Sequence, residues 1–209
     1  MNPRRTLAKT RRRKPPPAPM HVLPNAELLA LDPGLLHPAA ARFSGGKLVR
    51  AARVPVEASW SRLGIAQRQL TIAQAIVDWV KFVDDWHHLP PVTHVVFEYP
   101  QVYSETKAMG VRPKDLLAIL GVAEVTVGIL AGRHHLTVYG PTPNEVWGTM
   151  PKCTTGDPRE SVRGARVWSR LSPGEQTGLE LTHDAVDAAG LGLFVLGRFE
   201  RVRVFPGAT

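Results

Sequence analysis

The first half of the chain alternates short apolar runs with one long amphipathic segment. Residues 26–32 predict a strand that is buried on both faces. Residues 38–43 and 47–54 predict two more strands joined at Ser44-Gly45-Gly46, because paired glycines supply the positive φ angles of a tight hairpin turn. Over residues 65–86 the apolar side chains recur at helical spacing, which predicts a helix.

The second half predicts strands that alternate with helices. Residues 92–98 form a β-branched run typical of a central strand, and residues 134–139 predict a last strand. Leucines at helical spacing after Pro113 favour a helix over residues 113–132, and residues 144–157 are expected to form an irregular loop. Further helices are predicted over 158–171, 173–181 and 183–199. This order predicts an α/β fold, a mixed sheet with helices on its faces.

Positive charge is concentrated at the N-terminus. Residues 1–24 hold seven of the 26 basic residues and no acid, so the remainder, with 18 acidic residues, is nearly neutral. Such a basic, Pro-rich segment cannot bury enough apolar surface to fold, so we expect a disordered arm over 1–24 and one domain over 25–209. Arg11, Arg12 and Arg13 are candidates for DNA phosphate contacts; a solvated tail or a localisation patch is the alternative.

Composition narrows the expected location. No apolar stretch approaches the ~20 residues of a membrane span, and no apolar segment of signal-peptide length follows the N-terminal charges. Cys153 is alone, so an internal disulfide is impossible and a reducing, cytoplasmic location is expected, with no membrane partner.

Four acidic residues stand where a metal site would need them. Asp32 and Glu98 end predicted strands, and Asp184 and Asp187 open the final predicted helix three residues apart, on one face. Taken singly, these acids could form a turn, a surface strand end or a helix cap. Taken together, they indicate convergence on a divalent cation, since carboxylate oxygens suit Mg²⁺ and a buried acid is costly without a positive partner.

At these positions the chain resembles the RuvC family of Holliday-junction resolvases, in the ribonuclease H-like superfamily. The matching motifs are a strand ending in Asp32-Pro33-Gly34, a strand ending in Glu98 with Tyr103 beyond it, and Asp184-Ala185-Val186-Asp187. A fourth is Thr142-Pro143-Asn144-Glu145-Val146, followed by Lys152. Leu35-Leu36-His37-Pro38 replaces the small residues that usually follow the first motif, and Tyr99-Pro100 looks inserted. The resemblance is therefore to a divergent branch of the family, either phage-like or otherwise distant.

The resemblance implies a ribonuclease H-like mixed sheet, with three antiparallel strands followed by parallel ones and helices on both faces. It also implies a homodimer that nicks DNA four-way junctions symmetrically, using Mg²⁺ or Mn²⁺. Asp32, Glu98, Asp184 and Asp187 would be the catalytic metal ligands, Tyr103 would stack on a base, and Lys152 would lie near the scissile phosphate.

Several interpretations remain open. Arg163 and Arg166 belong to a stripe at roughly helical spacing that could follow a DNA backbone or simply face solvent. His183 could help shape the site, although a cap or surface role is the commoner one. The alternative functions are a ribonuclease H-like nuclease acting on other branched DNA, a non-catalytic DNA-binding protein of the same fold, and an actin-like phosphotransferase.

Overall fold

A five-stranded sheet forms the centre of the computed structural model, which describes residues 25–99, 113–132, 135–148, 150–152 and 155–199. The strands run in the order β3-β2-β1-β4-β5. They are β1 (Leu28–Asp32), β2 (Ala39–Ser44), β3 (Lys47–Arg53), β4 (His94–Phe97) and β5 (Thr137–Tyr139). The predicted N-terminal arm with Arg11, Arg12 and Arg13, and the predicted base-stacking Tyr103, lie outside the described residues.

Strand direction follows the predicted scheme. β1, β2 and β3 are antiparallel, whereas β4 runs parallel to β1 and β5 runs parallel to β4. Gly45 and Gly46, both with positive φ, close the β2–β3 hairpin. The resulting register pairs Asp32 with Ala39 and Ala39 with Arg53, so Asp32 and Arg53 lie at the same end of the sheet.

Helices cover both faces of the sheet. The long helices α1 (Ile65–His87) and α2 (Pro113–Ala131) pack on one face, and α6 (His183–Val195) packs on the other. Side chains of β1 alternate between the two cores: Leu28 and Ala30 face α6, while Leu29 and Leu31 face α1 and α2. The shorter helices are α3 (Pro143–Val146), α4 (Val162–Trp168) and α5 (Pro173–Gln176), with 3-10 turns over Ala58–Arg62 and Pro158–Glu160.

Two predicted elements differ from the structure because of specific hydrogen bonds. The helix predicted over 158–171 is a 3-10 turn followed by α4, since the Ser161 hydroxyl accepts a bond from Gly164 N–H and begins a new helix. The helix predicted over 173–181 ends at Gln176 because the chain then leaves to pair with the edge strand β3. Ala51 N–H donates to Gly178 C=O and Glu180 N–H donates to Ala51 C=O, both within 2.9 Å.

A third difference concerns residues 144–157, predicted as an irregular loop. Here Thr142 and Glu145 form a capping box that starts the one-turn helix α3.

In the part of the chain that the structure describes, no helix is both long and apolar enough to cross a membrane.

Candidate active site

The four predicted acids come from three elements that meet at one end of the sheet. Asp32 is the last residue of β1, and Glu98 directly follows β4. Because β1 and β4 are parallel neighbours with Leu31 opposite Phe97, both acids leave the sheet at the same edge. Asp184 and Asp187 lie one turn apart at the start of α6, whose N-terminus is capped by the Thr182 hydroxyl.

Lys152 shows that the aspartates converge. Its Nζ lies 3.0 Å from Asp187 Oδ2, 3.5 Å from Asp32 Oδ2 and 3.9 Å from Asp184 Oδ1. Burial disfavours the charged ammonium, but the nearby Asp32 and Asp187 outweigh burial and raise the pKa of Lys152. One ammonium therefore contacts carboxylates from β1 and from the start of α6, two elements that are distant in sequence. A role for Lys152 at the scissile phosphate stays a prediction.

Glu98 completes the group. Trp147, a fully buried residue, donates its indole N–H to Glu98 Oε2 at 3.3 Å. Burial, reinforced by the charges of Asp32 and Asp187, raises the pKa of Glu98 to about 7. Burial likewise raises the pKa of Asp32 to about 6, with Lys152 opposing the rise and the other aspartates adding to it. Without additional positive charge, this cluster is costly to keep fully ionised near neutral pH.

Two arginines orient the aspartates. Arg53, at the end of β3, binds Asp184 Oδ2 through Nε at 2.8 Å and through Nη2 at 2.7 Å. Arg163 lies 3.4 Å from both oxygens of Asp187, and its guanidinium stacks 4.6 Å from the centre of the Trp147 ring. Both side chains hold their carboxylates in fixed directions at the edge of the cluster.

Of the arginines predicted to contact DNA, the structure places Arg163 beside the site. The Arg163 side chain is mostly buried and faces Asp187, with Nη2 also donating to Met150 C=O at 3.1 Å. Arg166 lies 4.1 Å over the Phe199 ring and 3.6 Å from Met150 Sδ. A DNA contact by either residue stays a prediction.

Arg53 and Trp147 are members of the site that the sequence-based reasoning missed. Arg53 could have been found, since the Gly45-Gly46 turn fixes the hairpin register that aligns it with Asp32. Trp147 is a buried packing residue whose indole N–H also donates to Glu98. His183 opens α6, and its Nε2 atom is buried without a hydrogen-bond partner.

The donor set fits a hard divalent cation, although its geometry is not that of a finished metal site. Among the described residues, no three His, Cys, Asp or Glu side chains are arranged ready to hold a metal ion. Lys152 Nζ instead lies between the aspartates. The fit rests on chemistry: the four side chains offer only carboxylate oxygens, and crowding and burial leave Asp32 and Glu98 in need of positive charge.

Comparison with known proteins establishes the fold. No protein-family model matches the chain, and no curated protein matches it. Thermus thermophilus RuvC in complex with a Holliday junction substrate superposes with a TM-score of 0.50, at 15% identity, over 81% of this chain and 91% of that chain. This chain has the RuvC fold. A second T. thermophilus RuvC structure matches with a TM-score of 0.49, at 15% identity, over 80% of this chain and 91% of that chain.

The RuvC fold confirms the predicted architecture, with an antiparallel hairpin leading into parallel strands and helices on both faces. The fold also agrees with the resemblance to the RuvC family that the sequence motifs indicated.

Proposed function

We propose that this protein is a metal-dependent endonuclease that resolves DNA four-way junctions by paired, symmetric nicks. The observation that carries the proposal is the convergence of Asp32, Asp184 and Asp187 on one ammonium, with Glu98 beside them, at one edge of a RuvC fold. Acids gathered from distant parts of a chain are costly unless positive charge compensates them, and such clusters are typical of functional sites.

Each residue has a distinct role in this proposal. Asp32, Glu98, Asp184 and Asp187 would hold Mg²⁺ or Mn²⁺. The bound ions supply an activated water and charge compensation at the phosphate. Arg53 and Arg163 fix the directions of Asp184 and Asp187, and Trp147 fixes that of Glu98. Lys152, whose side chain is 43% exposed, can turn towards the phosphodiester and stabilise its charge.

The choice of a four-way junction as substrate rests on two observations. One structural neighbour is a RuvC bound to a Holliday junction substrate, and the order of the acidic motifs resembles that of its family. Paired nicks need two active sites, so a homodimer is part of the proposal. Tyr103, Arg166 and the arm residues Arg11, Arg12 and Arg13 are proposed to contact the DNA.

The test is a cleavage assay on synthetic junctions with Asp32→Asn, Glu98→Gln and Asp187→Asn. Each change removes one anionic oxygen at nearly constant shape. We expect cleavage to fall by on the order of 100-fold or more, because even residues that only support metal ligands cost 10- to 100-fold. Junction affinity should stay within a few-fold of wild type. Asp78→Asn, which alters an exposed acid of α1, is the matched control and should cut normally.

The same assay separates the alternatives when flaps, forks, duplexes and single strands are run beside the junction. Symmetric paired nicks confined to the junction support resolution, whereas preferred cutting of flaps or forks supports a nuclease for other branched DNA. Tight junction binding without any cutting in Mg²⁺ or Mn²⁺ supports a non-catalytic DNA-binding protein. If any two carboxylate variants cut at the wild-type rate, the proposed site is wrong.

A further inference from the structure

A pocket of about 630 Å³ lies at the same end of the sheet as the acidic cluster. One wall is the loop between β1 and β2, and another is the segment that follows β3, up to Ser61. Arg53 belongs to both places, because it lines the pocket while its guanidinium binds Asp184. The pocket and the cluster are therefore neighbours with one residue between them.

The lining of the pocket is mainly apolar. Leu35, Val54, Val56 and Trp60 pack against the core that α1 and α2 cover, and they present apolar surface to the cavity. Leu36 also lines it, with 61% of its surface exposed. Leu35 and Leu36 stand where the resolvase motif usually has small residues, so this departure from the motif helps to build the pocket. A cavity of this size and character suits a flat ring with apolar faces.

One polar group in the pocket lacks a partner. Arg68, the fourth residue of α1, lines the cavity and donates from Nη2 to Leu35 C=O at 2.8 Å. Its Nε–H is buried and has no hydrogen-bond partner. The acids Glu57 and Glu180 also line the pocket, but neither bonds to this atom. That atom is closed to solvent, so the Arg68 side chain has to shift before a ligand can reach it. An acceptor on the ligand would then recover the free energy that the unsatisfied donor costs.

We propose that the pocket takes one unstacked nucleobase of the DNA strand whose phosphate lies at the acidic cluster. A nucleobase combines two apolar faces with acceptor atoms on its edges, which match the leucine and tryptophan walls and the free Arg68 donor. This inference rests on the proposed function, because a strand laid over the cluster is what brings a base to the pocket. Holding that base fixes the neighbouring phosphodiester against the acids.

The experiment measures junction affinity and cleavage when single nucleotides near the cut are replaced, one at a time, by abasic ones. For wild type, we expect one position at which the missing base weakens binding about 10-fold, the size of a lost base contact. Leu36→Ala and Arg68→Met should weaken binding of the intact junction. When the sensitive nucleotide is also made abasic, the affinity of either variant should fall little further, because the base and the pocket contribute through the same contact.

Matched controls come from neighbouring residues that do not line the pocket. Leu70→Ala changes an exposed leucine of α1, and Arg62→Met changes an exposed arginine just before α1. Both should keep the full wild-type penalty for the abasic nucleotide. Leu36 is mostly exposed, so its truncation leaves the fold intact even if Arg68→Met lowers stability.

Persistence of the full abasic penalty in both Leu36→Ala and Arg68→Met would overturn the inference, and so would the lack of any sensitive position. The affinity readout does not need catalysis. A protein that binds the junction without cutting it contradicts the proposed nuclease function. The abasic comparison still shows, in that case, whether the pocket binds a base. A protein that binds no branched DNA contradicts both.

Discussion

At the residue scale, the ammonium of Lys152 supplies positive charge at the place in the acidic cluster where a metal ion is proposed to bind. Its ammonium lies between 3.0 and 3.9 Å from oxygens of Asp32, Asp184 and Asp187, and it screens their mutual repulsion. A divalent ion held by the same oxygens would perform that screening more strongly. The ammonium and a bound ion would therefore compete for the same carboxylates.

Replacing Lys152 tests this competition. Lys152→Gln should lower the melting temperature in the absence of divalent ions, because the carboxylates are left unscreened. The rise in melting temperature on adding Mg²⁺ should also be larger than in wild type. Each kcal/mol by which the variant binds the ion more favourably should add about 2–4 °C. Thermal unfolding with Mg²⁺ and with EDTA measures both effects. Lys81→Gln, which removes an exposed lysine 3.8 Å from Asp78, should change neither; an equal Mg²⁺ response in Lys152→Gln and wild type would refute the competition.

At the element scale, α6 carries two of the proposed metal ligands, Asp184 and Asp187, and packs close to the sheet. Gly192 allows this approach: a Cβ there would lie 2.1 Å from Cε2 of the Phe43 ring. Gly190 plays the same part against Trp147, with 2.2 Å to the ring. Both aromatic rings are held in the core, so larger residues on α6 would push the helix, and its two aspartates, away from Asp32.

Gly192→Ala should therefore destabilise the protein by about 1–3 kcal/mol, the usual cost of overpacking. The control is Gly128→Ala on α2, where a Cβ would meet no atom within 4 Å. That change should stabilise by about 0.5–1 kcal/mol, since alanine favours a helix interior. Urea unfolding of both variants gives the comparison, and equal effects in the two would contradict the close packing of α6.

A second element-scale feature is the buried Glu175 on α5. It accepts bonds from Leu48 N–H and Ser172 N–H, and it pairs with Arg198 at 2.9 Å. Burial alone would raise its pKa, but the bonds from Arg198, Ser172 and Leu48 outweigh burial and lower the pKa of Glu175 to about 2, from 4.5. These bonds tie α5 and the end of the described chain to the β2–β3 hairpin.

Because the folded-state pKa of Glu175 is the lower one, its ionised form stabilises the fold at pH values above about 4.5, the unfolded value. That contribution, up to about 3 kcal/mol, is lost as pH falls from there towards 2. Glu175→Gln should lower stability at neutral pH, and the difference from wild type should shrink through this window. Urea unfolding across the acidic range measures it, and a constant difference would show that Glu175 is not the titrating group.

At the scale of the whole molecule, the sequence was enough for the strands and for the acids at their ends, while the resemblance to the resolvases supplied the strand directions. Short apolar runs with an acid at the end of each identify Asp32 and Glu98, because parallel strands finish at a common edge. The break of the predicted helix at Gln176 was not predictable, since it depends on a backbone bond to β3, distant in sequence. The pairing of Arg163 with Asp187 likewise depends on how α4 packs on α6.

The same limit applies to electrostatics. A carboxylate pattern shows which side chains can meet, but the raised pKa values of Asp32 and Glu98 arise from the burial that tertiary packing imposes. Arg53, Arg163 and Lys152 then decide how much of that negative charge is already balanced. The negative charge that these three cations leave uncompensated determines whether a divalent ion binds.

The most direct test of that balance is to locate Mn²⁺ by anomalous diffraction in crystals of the wild-type protein. We expect a manganese peak within bonding distance of carboxylate oxygens of Asp32 and Asp187, with Lys152 Nζ displaced from its place between them. The peak should vanish in Asp187→Asn. A peak elsewhere, or an unchanged Lys152 position with no manganese at the cluster, would contradict the account.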